Sequence, residues 1–399
     1  MSLIKNDSRM NPSASGWINK LLTDVSKKDA LFNIDKESFY EALRDSGFIY
    51  GSNLEVVEHT FENKDLTEEE LCKTNLCLAF LYTHKTSNSK AEFVDSVIGF
   101  YSTIKESKNT FFQDLLGGKK SNEQLEKIIH KRVQIDANVL TKNFNYFVIN
   151  ALLYIDVLAY QGYLKNETIS IEYLKNLEAA ITSISLEVLN AKASKNKYDE
   201  SLIKLFESSL RYQNDTHIDY KAAVAMVKTS KEAYYILDIA CMASWSDAII
   251  DEKEYQFLVK LGQDLRLNSE RIQQSIQSVN TFYTANKGNI ALLSSKNIVH
   301  SFYDNSSKMV YKLITRNSKR LYQELKDSKE LMVLLTQSTV RDLTKEEQKK
   351  VTDQLLDIFK SIPSLAIFLL PGGAILLPLV IKFIPKLLPS AFDENRIKK

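Results

Sequence analysis

Apolar residues recur every three or four positions through most of the chain, the spacing of helices that bury one face. Trp17, Ile18, Leu21, Leu22 and Val25 follow Gly16 in this register. A second helix is expected over about 35–46, with Phe39, Ala42 and Leu43 inward and Gly47 as its stop. Thr67 and Glu70 have the spacing of a capping box, opening a helix that carries Leu71, Leu76, Leu78 and Phe80. Further helices are expected at about 91–105, 123–133, 170–193, 201–212, 298–325 and 328–335. Gly117-Gly118 separates the first two of these, and 196–199 reads as a surface connection. A second capping box, Thr344 with Glu347, opens an amphipathic helix to Lys360.

Residues 147–164 are mostly apolar but contain Asn150, Asp156 and Gln161. A charge at mid-span costs about 2.5–3.5 kcal/mol in a bilayer. The stretch therefore reads as the buried centre of a helical domain rather than a span.

The breakers sharpen the division of the chain. It has 399 residues, enough for two or three domains, yet only 11 Gly and 6 Pro. Five of the prolines lie after residue 362, so the first 362 positions suit uninterrupted helices. An all-α fold is expected: a flexible 1–15, a helical body over 16–225, a third segment at 226–335 and a distinct module at 336–399. Apolar residues at 44% and charged residues at 26% fit a globular chain. A net charge of +2 gives no bulk drive toward nucleic acid, and no direct DNA binding is expected. The N-terminal segment lacks an apolar core and does not resemble a secretory signal.

Candidate chemistry is sparse. Cys72, Cys77 and Cys241 have no metal-binding spacing and read as small core residues. His59, His84, His130, His217 and His300 are scattered, without Cys, Asp or Glu partners at diagnostic spacing. No enzyme is expected.

The C-terminal stretch is of another kind. Residues 361–381 contain no charge, and Lys360 and Lys382 bracket them. As one helix they would extend roughly 31 Å, about the thickness of bilayer hydrocarbon. Pro371, Pro378 and Pro385 are seven apart, with Pro363 eight earlier, and each removes a helix donor. Pro371-Gly372-Gly373 could instead break the segment into a re-entrant or interfacial hairpin, so both forms stay open. Ser361 and Ser364 are its only polar side chains.

The proline register, with Phe368-Leu369-Leu370-Pro371, Leu376-Leu377-Pro378, Lys382-Phe383-Ile384-Pro385 and the ending Leu388-Pro389-Ser390-Ala391-Phe392, resembles the signature of the LETM type (leucine zipper–EF-hand-containing transmembrane proteins). That resemblance implies an inner-membrane protein linked to cation exchange and ribosome binding. It marks Pro363, Pro371, Gly372, Gly373, Pro378, Pro385, Pro389 and Phe392 as the membrane module. Two departures limit the transfer. Transporting members carry a glutamate where this chain has Ala374, and the soluble region that follows the signature in the family does not follow Phe392 here.

Residues 231–284 resemble, less closely, the TerB-like (tellurite-resistance B) helical domain, around the turn Ala243-Ser244-Trp245-Ser246-Asp247 and the helix start Asp251-Glu252-Lys253-Glu254. The resemblance implies a divalent cation on Asp247, Asp251 and Glu254. The residues alone read as a helix start, Asp251 at the N-cap and Glu254 at N3.

The expected role is a non-enzymatic membrane-associated scaffold, similar to LETM-related biofilm proteins of bacteria. Its soluble body would face the cytoplasm from the inner membrane. Its expected partners are the lipid bilayer, the ribosome by resemblance, and a second copy through the proline faces. Two alternatives stand beside it: a component of a cation/proton exchange system, and a soluble protein whose apolar tail packs on its own body.

Overall fold

The computed structural model describes residues 10–27, 30–60, 66–104, 121–133, 150–191, 218–245, 250–286, 298–369 and 376–387. Every regular element among them is helical. The chain divides into two compact units, one drawn from residues up to 294 and one from 295–399 together with 64–67 and 136–144. The division falls inside the 226–335 segment.

The first unit opens with α1 (Trp17–Val25), the short α2 (Ala30–Asn33) and α3 (Lys36–Asp45). Asp35 caps α3 by accepting the amides of Glu37 and Ser38. Gly47 ends it at φ +82°, and a Cβ there would lie 1.8 Å from the Ser52 carbonyl oxygen, so only glycine fits. Then come α4 (Glu68–Lys85), α5 (Phe93–Thr103), α6 (Asn122–Val133), α7 (Tyr154–Asn166) and α8 (Ile171–Ala191). The unit closes with α9 (Tyr220–Met226), α10 (Ser230–Ser244), α11 (Glu252–Asp264) and α12 (Ser269–Asn286). The helix expected at 201–212 and the connection at 196–199 lie outside the described residues.

α4 is buried from Glu70 to His84 on every side. Its residues Leu76–Tyr82 are apolar at every position, the pattern of a helix enclosed on all sides. Several of its polar residues are tolerated because they meet a partner. The Asn75 side chain accepts the Val57 amide at 3.0 Å and donates to the Glu55 carbonyl at 2.9 Å. Lys73 pairs with Glu69 at 2.7 Å. Of the apolar stretch expected as a buried centre, positions 150–160 are all buried, 161–164 are half-buried and 147–149 lie outside the described residues. Its charge, Asp156, is fully enclosed and held by Arg132 of α6 through two contacts of 2.7 and 2.5 Å, with the Tyr101 hydroxyl donating at 2.8 Å. Helices of the 226–294 stretch pack with those before them. The hydroxyl of Tyr40 donates to Asp238 at 2.7 Å, and that of Tyr235 donates to the Ala151 carbonyl.

The second unit contains α13 (Ile298–Arg316), α14 (Ser318–Lys326), α15 (Lys329–Gln337), α16 (Lys345–Ser361), a 3-10 helix (Pro363–Leu369) and α17 (Leu377–Leu387). The single helix expected at 298–325 is two. It breaks at Asn317, whose side-chain amide donates to the Leu313 carbonyl at 2.7 Å and so competes with the backbone ladder. Val310, Leu313, Ile314, Leu321, Leu325 and Leu335 form one core with Val351, Leu355 and Phe359 of α16, and with Leu365, Phe368, Val380 and Ile384 beyond it.

Candidate functional site

The uncharged stretch after Lys360 does not run as one helix. α16 ends at Ser361, the 3-10 helix covers Pro363–Leu369, and α17 starts at Leu377. Among the described residues no helix is long and apolar enough to cross a membrane. At 1.5 Å per residue, the 11 residues of α17 extend about 16 Å, half of a bilayer's hydrocarbon. The prolines account for this layout. Pro363 opens the 3-10 helix and Pro378 is the second residue of α17, positions where a missing donor costs nothing. Pro385 lies within α17, while Pro371, Gly372, Gly373, Pro389 and Phe392 lie outside the described residues.

The apolar faces of the motif turn inward. Ile362, Leu365, Phe368, Leu376, Leu377, Leu379, Val380 and Ile384 are buried against α13–α16, as the alternative of an inward-packed tail expects. The phenyl rings of Phe359 and Phe368 lie 4.9 Å apart. Both polar side chains of the stretch meet α14 or the break before it. Ser364 donates to the Asn317 side chain at 3.0 Å. The hydroxyl of Ser361 lies 2.8 Å from the Ile358 carbonyl and 3.2 Å from Glu324, and Arg320 donates to the Ser361 carbonyl at the end of α16. That carbonyl would otherwise be one of the four unsatisfied at a helix C-terminus. Among the described residues of the stretch, Leu369 is 39% exposed, and Ser361, Pro378 and Lys382 are exposed.

The start of α16 is the expected capping box. Thr344 accepts the Glu347 amide at 3.2 Å, and Glu347 accepts the Thr344 amide at 2.8 Å. Arg341 adds a forked contact to Glu347 at 2.6 and 2.8 Å. The Arg341 guanidinium holds the Glu347 carboxyl down at about 2, against an ordinary 4.5. A depressed value stabilises the fold above pH 4.5, and this contribution is lost as pH falls toward 2. In Arg341→Gln the Glu347 midpoint should rise toward the ordinary range, read by a carboxyl NMR titration.

Charge separates the two parts of the chain in a way the total conceals. Residues 295–399 hold 18 basic and 11 acidic side chains, net +7, while residues 1–294 hold 34 and 39, net −5. The cations Lys319, Lys326, Lys329, Lys345, Lys349 and Lys382 are all exposed. A count by segment would have found this, whereas the Ser364–Asn317 and Arg320–Ser361 contacts had no signal in the sequence.

The second candidate site resolves as a helix start. Asp251 and Glu254 form a reciprocal capping box at 2.8 and 2.9 Å, which employs both carboxylates in holding α11. Asp247 lies outside the described residues. Among the described residues no group of three His, Cys, Asp or Glu side chains could hold a metal ion.

Residues 343–399 match the family described as LETM1-like, RBD, a ribosome-binding domain. The C-terminal segment is thus of the LETM type, over about one seventh of the chain. The match lies on the proline motif itself. No curated protein and no solved structure matches the chain.

Proposed function

We propose that this protein is a non-enzymatic scaffold that docks on the ribosome through its C-terminal unit and rests peripherally on a bacterial inner membrane, its body facing the cytoplasm. The observation that carries the reading is that the segment matching the ribosome-binding family, 343–399, belongs to a packed helical unit of net charge +7. A cation-rich unit suits a polyanionic particle, and its affinity falls with salt. Peripheral attachment is favoured over a span because, among the described residues, most apolar side chains of the motif lie in the unit's own core, with Leu369 and Pro378 outward. Cation exchange is disfavoured by Ala374, which leaves residues 361–381 without an ionisable group.

The test is sedimentation of the full chain through a sucrose cushion with bacterial ribosomes, beside flotation with anionic vesicles. Ribosome pelleting at low salt, released as salt is raised, is the expected result. A chain that stays in the supernatant at about 50 mM salt, where phosphate contacts are strong, sinks the ribosome reading. A chain that resists alkaline carbonate extraction from membranes sinks the peripheral one.

A further inference from the structure

Between Asp304 and Glu324 the chain has no acidic residue, but it has Lys308, Lys312, Arg316, Lys319 and Arg320. The structure gathers part of this run on one side. Lys308, Tyr311, Lys312 and Thr315 are spaced i, i+3, i+4 and i+7 on α13, and all four are exposed. Lys319 and Arg320, also exposed, continue the run at the start of α14. The other side of α13 is consumed by the core through Val310, Leu313 and Ile314. Tyr311 is 47% exposed, and its ring stands edge-on to Phe383 of α17 at 5.7 Å. The LETM-type helix therefore props a tyrosine among lysines. Lys312 Nζ also donates to the Leu66 carbonyl at 3.0 Å.

We propose that this face binds unpaired RNA, the lysines on phosphates and the Tyr311 ring on a base; the inference rests on the ribosome-docking reading and names RNA as the component contacted. Lysines serve phosphates as point charges, and a half-exposed flat ring is what an unstacked base requires. Duplex nucleic acid offers no free base to such a ring. A bilayer is a poorer fit, because interfacial helices insert an apolar face and here that face is buried. From Lys308 to Thr315 the face on α13 extends about 10 Å. It lies wholly outside residues 343–399.

The experiment measures binding of a fluorescent oligouridine to the full chain across a salt series. Lys308→Gln/Lys312→Gln/Lys319→Gln should reduce the slope of log affinity against log salt by about 2, since each contact to a single strand contributes about 0.7. Tyr311→Leu, which keeps an apolar contact for Phe383, should weaken binding about tenfold, at the lower end of base stacking, and leave the slope unchanged. Unchanged circular dichroism establishes that both variants are folded. Binding that neither variant alters overturns the proposal, as does loss of anionic-vesicle binding in the triple variant with oligouridine binding intact. Ribosome pelleting without any oligouridine binding overturns it too, and leaves the ribosome reading standing. Oligouridine binding without pelleting does the reverse.

Discussion

Replacing Arg132 by leucine lowers the stability of the first unit by about 3–5 kcal/mol, the cost of leaving a buried charge without its partner. The partner is Asp156, wholly enclosed, which also accepts the hydroxyl of Tyr101. Water cannot replace the guanidinium at a site with no exposure, so the charge must be neutralised or the helices must separate. The double variant Arg132→Leu/Asp156→Leu should recover most of the loss, because removing both charges also removes both desolvation penalties. Urea unfolding followed by tryptophan fluorescence reads the effect. The chain has two tryptophans, Trp17 and Trp245, both buried and both in the first unit. A single variant as stable as the parent would mean that the pair is not the tie between α6 and α7.

Phe359→Ala is expected to cost about 3–5 kcal/mol in the second unit, the range for deleting a fully buried phenyl group. Phe359 has no exposure and lies against Phe368, so its loss opens a cavity where α16 meets the 3-10 helix. Against a domain stability of about 5–15 kcal/mol this is a large share. Limited proteolysis should cut the variant within the matched segment, and ribosome pelleting should fall with it. Tryptophan fluorescence should hold its parent midpoint, since the second unit contains no tryptophan. A shift of that midpoint together with protease resistance of residues 343–399 would contradict the assignment of Phe359 to this core.

The two variants also show what kind of information each feature needed. The motif at the C-terminus was readable because its prolines sit in a specific register, and the family match covers the same residues. A continuous 21-residue apolar helix was a reasonable reading of composition. It fails because Pro363 and Pro378 start elements rather than interrupt one, and because the unit has its own use for the apolar faces. The acids at 251 and 254 were read two ways, and the capping geometry is the one present.

Features closed within three or four residues were determined by the sequence alone: the stop at Gly47, the boxes at Asp251 and Thr344, and the helical character of the described chain. Their energy lies in hydrogen bonds between near neighbours, so no distant residue is needed to complete them. The partner of Asp156 and the inward packing of the LETM-type tail were decided only by the tertiary structure. Each depends on residues about 20 to 70 positions away, brought together by packing, and periodicity along one helix carries no record of what packs against its other side.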